Sequence, residues 1–471
     1  MGREPSEGRL TALLTIARNE LRLLTRSRPV WFMLGAFLTC ALYAIDSGHA
    51  WFRARQAEDA ALSKEMDQKL TQLQQQAHGA GDPGDLGDFG NYAVFPLSPI
   101  SALSIGQADF LPRHLEISLM SRQRRTSERF GIENPLDLLA GRLDFAFVTV
   151  YLLPLLVLAL SFNLLSSERE QGTLPLLLSQ PLRLTSIVAG KLVARGLLAG
   201  LAGIAIPMMS AALAGEVRPL AGVRLLLWTS TSCCYLGFWF SLAVVANLYG
   251  RDSAANAVRL AGCWLGLVMV VPSLVNIAVK TIYPPPSRLE LIRATRENVQ
   301  DFRRDHKQLI AEFSLEHPDL PKAESGQELS LAFTLIQSEL DRRTAPIEQE
   351  FRKQLDQQQS VVNRLRYLSP AILVQESLSD IAGTGVTRFS VYRREADRYA
   401  EEWKAWVSDR ILRGTKLHDE DYLSAPKFKM AATPTTLLVP RLAAASAGLL
   451  IPTLILMIVF LKRARAYGPQ I

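Results

Sequence analysis

The chain has 471 residues, of which 48% are hydrophobic and 21% are charged, and its formal net charge is +7. The hydrophobic residues gather in six blocks, a distribution that is not typical of water-soluble proteins and indicates a membrane protein with large polar parts. The basic residues flank the apolar blocks and form no stripe on a polar segment, which disfavours a nucleic-acid-binding protein.

The chain begins with a segment that predicts an amphipathic helix in the membrane interface. Apolar residues recur at spacings of three and four, and arginines take the other faces. A helix that only anchors the chain and a helix that contacts a cytoplasmic partner fit this pattern equally well. The apolar positions are Leu10, Leu13, Leu14, Ala17, Leu21 and Leu24, and the arginines are Arg18, Arg22 and Arg26.

The six apolar blocks predict six transmembrane helices. A hydrocarbon core about 30 Å thick needs about 20 apolar residues in a helix, and only the first block falls short of this. Six spans place both termini on one side, which the flanking basic residues make cytoplasmic. The predicted spans are Val30–Ile45, Leu143–Leu165, Ile187–Ala214, Val223–Leu248, Val258–Lys280 and Leu437–Leu461.

The polar stretches between these blocks define the predicted domains. Two of them are long enough to be extracytoplasmic insertions, so we predict an all-α membrane protein with a helical, coiled-coil-like outer domain built from both. The segments are the interfacial helix 1–29, the first span 30–47, insertion one 48–142, spans two to five 143–280 with a cytoplasmic loop at 166–186, insertion two 281–436, the sixth span 437–461 and the cytoplasmic tail 462–471.

Insertion one predicts a helix followed by a linker. Residues 53–77 are charged and Gln-rich with helical character, and residues 79–90 (GAGDPGDLGDFG) break it. The glycine-rich run is acidic and lacks the GK[ST] ending of a phosphate loop. We therefore predict a flexible linker there.

Insertion two predicts longer helices. Heptad-like runs at 292–313 and 333–365 predict an antiparallel coiled hairpin, in which Thr344 caps a new helix near Pro346. Aromatic residues between Tyr392 and Trp406 recur at helical spacing. They indicate the core of a domain, and a surface for an envelope partner or lipid headgroups is the alternative.

The sequence carries no motif of a common enzyme. It lacks an HExxH pair and a Walker A sequence, and its four cysteines, Cys40, Cys233, Cys234 and Cys263, all lie in apolar blocks. Small buried side chains in helices account for such cysteines without a disulfide or a metal. We predict that the chain is not an enzyme and binds no cofactor or metal itself.

One acidic residue lies at the outer start of the second span. A carboxylate inside a membrane is costly and often functional, but Asp144 is near the interface, where water or Arg142 can satisfy it. The position favours a structural or orienting role over a substrate site.

The loop at 166–186 has the features of a hinge that carries a short helix. Gly172 permits a sharp bend where the second span ends. Thr173 can cap a helix that begins at Leu174, and Pro181 ends it. Leu176, Leu177 and Leu178 give this helix an apolar surface for a groove on a soluble protein, with Glu168 and Glu170 placed for basic partners at the rim.

The run LLSSEREQGTLPLLLSQPLRLTSIVAGK, residues 164–191, resembles the coupling loop of ABC type-2 exporter permeases, which has the pattern E…GTL.LLLS.P…GK. The segments 96–112 and 368–385 resemble a branch of these permeases with large extracytoplasmic insertions. That branch is similar in plan to the permeases of nitrous-oxide-reductase maturation and of gliding motility. Such permeases carry an amphipathic helix before the first span that contacts the ATPase.

The resemblance implies a permease subunit that couples ATP hydrolysis by a separate subunit to export or to mechanical work on an envelope partner. It implies two copies of a cytoplasmic ABC ATPase, which hold ATP and Mg, and a second permease chain, the same or a sibling. A periplasmic or outer-membrane protein is a candidate client, and the bacterial cytoplasmic membrane is the implied location. The alternative is a membrane-anchored receptor or scaffold with an outer sensing domain, although the sequence shows no cytoplasmic signalling domain.

Overall fold

A computed structural model describes most of the chain and shows an almost entirely helical protein. The described residues are 5–77, 81–89, 91–106, 108–109, 111–118, 143–180, 182–206, 209, 219–250, 252–284, 293, 296–297, 300, 325–430 and 435–466.

Six helices in these ranges are long and apolar enough to cross a membrane. This finding confirms the predicted all-α, multi-pass membrane fold. We number them span one, Arg28–Gln76; span two, Phe145–Glu170; span three, Leu184–Ala205; span four, Gly222–Tyr249; span five, Ser253–Ile282; and span six, Leu438–Arg465. π-Helical turns interrupt three of them, at Val148–Leu152 in span two, Leu201–Ala205 in span three and Leu265–Val270 in span five.

The seven described helices outside the spans are labelled in chain order. They are α1, Pro5–Arg26; α2, Pro83–Asp88; α3, Leu174–Leu178; α4, Ser325–Leu365; α5, Pro370–Ala382; α6, Val386–Leu412; and α7, Asp419–Ser424. Two short strands, β1 at Asn91–Val94 and β2 at His114–Ile117, pair antiparallel, and the sequence patterns did not predict them.

The two ends of the helix bundle differ in what they carry. At one end, which we call the loop end, Leu174 of the loop between spans two and three packs in one cluster with Leu164 of span two, Val188 of span three and Phe460 of span six. The opposite end carries the two insertions, and we call it the insertion end.

Span one continues without a break from the bundle into insertion one. The predicted first span and the helical segment that follows it are therefore one helix of 49 residues. A 3-10 turn at Pro99–Leu103 packs against it at Gly48, where a Cβ atom would overlap the carbonyl oxygen of Ala102. The absence of a side chain at this glycine permits the turn to lie directly on the helix.

Replacing this glycine is expected to separate the two elements. Gly48→Ala should destabilise the protein by about 1–3 kcal/mol, the usual cost of forcing an extra carbon into a packed site. Gly35→Ala on the same helix is the matched control, because no atom lies within 4 Å of its added Cβ, and it should be neutral or slightly stabilising. Denaturant unfolding in mixed micelles measures both variants, and equal stabilities would contradict this contact.

The two insertions share one hydrophobic core. Leu86, Phe95 and Ile117 of insertion one are buried against Tyr392 and Trp403 of insertion two. The predicted aromatic core of α6 is thus confirmed. The ring of Trp406 is half-buried, and the guanidinium carbon of Arg410 lies 3.6 Å from its centre.

Two predictions for the insertions are wrong. The run at 79–90 is not a linker over its described residues, because Asp82 caps α2 through the backbone N–H of Gly84 at 2.7 Å and Leu86 is 1% exposed. The break at Pro346 is also absent, since α4 continues through that proline. The first run of the predicted hairpin lies almost wholly outside the described residues, so the hairpin stays a prediction.

Helix α5 of insertion two lies in the same hydrophobic core as the spans. Ala371, Val374 and Leu378 are buried in the cluster that contains Trp239 of span four and Leu442 of span six. The insertion end of the bundle is therefore closed by a helix that does not itself cross the membrane.

Candidate functional site

The loop between spans two and three forms the predicted bend and short helix. Gly172 has a φ of +69°, a left-handed conformation that glycine adopts without strain. The helix α3 follows, with Pro175 in its first turn. The hydroxyl of Thr173 does not cap this helix as predicted but donates to the carbonyl oxygen of Glu168 at 3.3 Å. Pro181 lies outside the described residues.

The leucines of α3 face different environments. Leu174 is buried in the cluster at the loop end, and Leu177 and Leu178 are half-buried. Leu176 is 69% exposed. The apolar surface available to another protein is therefore centred on Leu176 instead of on three exposed leucines.

The two glutamates before the bend have partners within the chain. Glu168 forms an ion pair with Lys191 of span three, whose ammonium also donates to the carbonyl oxygen of Leu164 at 3.1 Å. Glu170 accepts the first backbone N–H of span five, from Ser253, at 2.6 Å. Their role toward basic groups of another protein stays a prediction.

Arg169, which the sequence analysis did not single out, fastens the loop to span four. Its guanidinium donates to the carbonyl oxygens of Asn247 at 3.0 Å, Leu248 at 3.4 Å and Gly250. These carbonyls belong to the last turn of span four and to the residue just after it, where a cation is favourable. The Asn247 side chain completes the connection by accepting the backbone N–H of Leu165 at 3.2 Å.

Helix α1 is docked against span three through a buried charge. Glu20, 7% exposed, accepts two hydrogen bonds from Arg195, at 2.9 and 2.5 Å, and lies 3.8 Å from the ammonium of Lys191. Arg195 also donates to the carbonyl oxygen of Leu160 at 2.6 Å and to the Asn163 side chain at 3.1 Å. The charges of α1, span three and the end of span two thus form one network.

The signal for this network was present in the sequence. Glu20 falls on the apolar stripe of α1, between Ala17 and Leu24, and Lys191 and Arg195 are one turn apart on span three. An acid on an apolar face needs a cation when that face is buried.

The three predicted arginines of α1 are exposed. Ala17 is buried, whereas Leu10 and Leu14 are 61% and 55% exposed. The helix therefore combines a face that packs on span three with a cationic face of Arg18, Arg22 and Arg26 and an open apolar edge. Which surface or partner these faces contact stays a prediction.

Asp144 lies at the insertion end, far along the bundle from the loop. Its carboxylate caps span two by accepting the backbone N–H of Phe147 at 2.7 Å. It also accepts the backbone N–H groups of Ile105 at 2.8 Å and Gly106 at 3.3 Å. This geometry is that of an orienting residue that ties insertion one to span two.

The two segments that resembled a permease branch meet beside Asp144. Thr384 donates to the carbonyl oxygen of Ser104 at 2.9 Å, and the hydroxyls of Ser104 and Ser379 are 3.3 Å apart. Arg388 donates to the carbonyl oxygen of Pro96 at 2.7 Å. These hydrogen bonds join insertion one to insertion two at the insertion end.

The fold and this site define a multi-pass membrane protein whose loop at one end is bonded into several spans. The sequence profile of a family described as a domain of unknown function (DUF3526) matches residues 288–431, within insertion two. The chain is also 37% identical over 135 residues to the Probable ABC transporter permease protein NosY of Stutzerimonas stutzeri, an alignment that covers 27% of this chain and 48% of NosY. The chain thus spans about half the length of the curated relative it matches, and the similarity supports a relationship with ABC transporter permeases.

Proposed function

We propose that this protein is the permease subunit of an ABC transporter, which couples ATP hydrolysis by a separate ATPase subunit to export or to mechanical work on an envelope partner. The proposal is carried by α3, a short helix with an exposed leucine that projects from the loop end on a glycine bend. A helix of this kind fits the groove of a soluble partner.

The bonds of the loop make it suitable for transmitting force. Glu168 connects it to span three, Arg169 to span four and Glu170 to span five. The loop is itself the continuation of span two. A displacement of α3 would consequently act on four helices together, as expected for a rigid-body transition of packed elements.

The charge distribution supports a cytoplasmic location for the loop end. The exposed arginines of α1 belong to this end, as does Arg463, which lies 4.4 Å above the ring of Tyr249. Basic residues beside spans are enriched on the cytoplasmic side. In this proposal two ATPase subunits, with their ATP and Mg, bind at the loop end of two permease chains in the cytoplasmic membrane of a bacterium.

A charge on the exposed leucine tests the proposal. Leu176→Asp should abolish co-purification with the ATPase and its stimulation, because an ionised carboxylate is costly to bury in an apolar groove. Gln180→Asp is the matched control, because it adds the same charge to an exposed position of the loop. This variant should still co-purify with the ATPase and stimulate it. If Leu176→Asp binds and stimulates the ATPase as the unmodified chain does, α3 is not the contact.

A further inference from the structure

The face of span four that meets span two carries a row of polar side chains. Three contacts fix this orientation. The ring of Phe145 lies 6.2 Å from that of Trp228, the Tyr235 hydroxyl donates to the carbonyl oxygen of Val150 at 2.8 Å, and Asn247 donates to that of Ser161 at 2.9 Å. We call this row, together with Ser161 of span two, the polar seam; its members are Ser161, Trp228, Ser232, Tyr235, Trp239 and Asn247.

The polar seam extends over the full thickness of a bilayer core. Positions 228 to 247 of an α-helix are about 28 Å apart at about 1.5 Å per residue, and a hydrocarbon core is about 30 Å thick. All of its members are fully buried, with exposures of 0–1%. No bulk water or lipid therefore reaches these side chains in the packing seen here.

Four donors of the polar seam have no acceptor at good hydrogen-bond geometry, although one of them, the indole N–H of Trp239, interacts with the Tyr235 hydroxyl. They are the indole N–H groups of Trp228 and Trp239 and the hydroxyls of Ser161 and Ser232. In the described parts of the six spans, these are all the buried uncharged side-chain groups that lack a partner. Their concentration on one face distinguishes that face from the rest of the bundle.

Other hydroxyls in the same helix are satisfied locally. Thr231 donates to the carbonyl oxygen of Leu227 at 2.9 Å, and Ser241 donates to that of Gly237 at 2.8 Å. This bond to the preceding turn is the usual solution for a hydroxyl in an apolar helix. Ser232 and Ser161 have the same option and do not use it, so their hydroxyls are available to a group that enters the seam.

We infer that water molecules enter the polar seam and bind these four donors. Buried polar groups that lack protein partners are commonly bonded to ordered water, and the hydrocarbon core offers no other acceptor. Water accepts from indole N–H groups and both accepts from and donates to hydroxyls. Polar groups continue the seam at both ends, Asp144 at the insertion end and Asn256 at the loop end.

A hydrated seam would add exchangeable bonds to the direct hydrogen bonds that join spans two and four. Span two continues into the loop that carries α3, whereas span four packs on span six and α5. Bonds through water can be exchanged without leaving a donor unsatisfied.

Hydroxyl-radical footprinting of the chain in lipid nanodiscs tests this inference, and it requires no ATPase. Radicals form from water, so Trp228 and Trp239 should be oxidised at least about tenfold faster than Phe240, after correction for intrinsic reactivity, if water resides beside them. Phe240 lies on the same helix, off the seam, and is 9% exposed. Oxidation of both tryptophans at or below the rate of Phe240 would overturn the inference.

A pair of variants makes the test specific to the seam. Ser232→Ala removes a polar group that holds water and should lower the oxidation of both tryptophans by about threefold or more. Ser241→Ala is the matched control, because its hydroxyl is bonded to Gly237 off the seam, and it should leave both rates unchanged. Equal effects of the two substitutions would also overturn the inference.

Discussion

Arg195→Leu is expected to destabilise the protein by about 3–5 kcal/mol, because it leaves the buried carboxylate of Glu20 without its main partner. Arg195 supplies both short hydrogen bonds to this carboxylate, and the remaining cation, Lys191, is 3.8 Å away. Helix α1 should then separate from span three. Thermal unfolding in micelles measures the loss, and the reactivity of Ala17→Cys toward a maleimide reports the separation, because Ala17 is 8% exposed.

Two further variants distinguish a specific ion pair from a general loss of charge. Arg18→Leu removes an exposed arginine of α1 and should change stability little. Glu20→Leu combined with Arg195→Leu should recover much of the stability, since removal of both buried charges leaves none unpaired. If Arg195→Leu is as stable as the unmodified chain, the network does not hold α1 in place.

Arg169→Leu is expected to release the loop from span four while the six spans remain folded. The substitution removes hydrogen bonds from a charged donor to carbonyl oxygens, each worth about 1.5–3 kcal/mol. Loss of one such bond should raise the equilibrium constant for local opening of the loop roughly 10- to 100-fold. Hydrogen exchange at residues 165–172 should accelerate by that factor, and stimulation of the ATPase should fall with it.

The next arginine along the chain, which lies in the same loop, provides the control. Arg183 is exposed, so Arg183→Leu should leave the exchange rates at 165–172 unchanged. Slow exchange in both variants would show that Arg169 does not fasten the loop.

Hydropathy and turn residues were sufficient to predict the spans and the shape of the loop. Five of the six apolar runs are long enough for a bilayer, and the first is only slightly shorter. Gly172 and Pro175 have local effects on the backbone that depend on no distant residue. The helix Leu174–Leu178 therefore follows from adjacent positions alone.

Partners that are distant in sequence could not be predicted in the same way. Glu168 and Glu170 were placed at a rim for another protein, yet Lys191 and Ser253 of the same chain occupy them. Arg169 was overlooked, because the carbonyls that it binds belong to a helix end some eighty positions later. Pairing of this kind depends on how helices are arranged in space.

The error at residues 79–90 has a local and a distant cause. Asp82 before Pro83 is a typical start of a helix, a signal that the many glycines outweighed. Leu86 and Phe89 are buried against α6 of insertion two. Tertiary packing of two apolar residues thus stabilises a segment whose composition indicates a linker.

In the proposed complex, an ATPase subunit contacts α3 at the loop end. A photoreactive benzoylphenylalanine at Leu176, 69% exposed, tests it in living cells, and the same group at Leu412, 39% exposed in the insertions, serves as the control. We expect position 176 to crosslink to a protein that contains the Walker A sequence of an ATPase, and position 412 not to do so. Adducts at position 176 that contain only lipid or an envelope protein would contradict it.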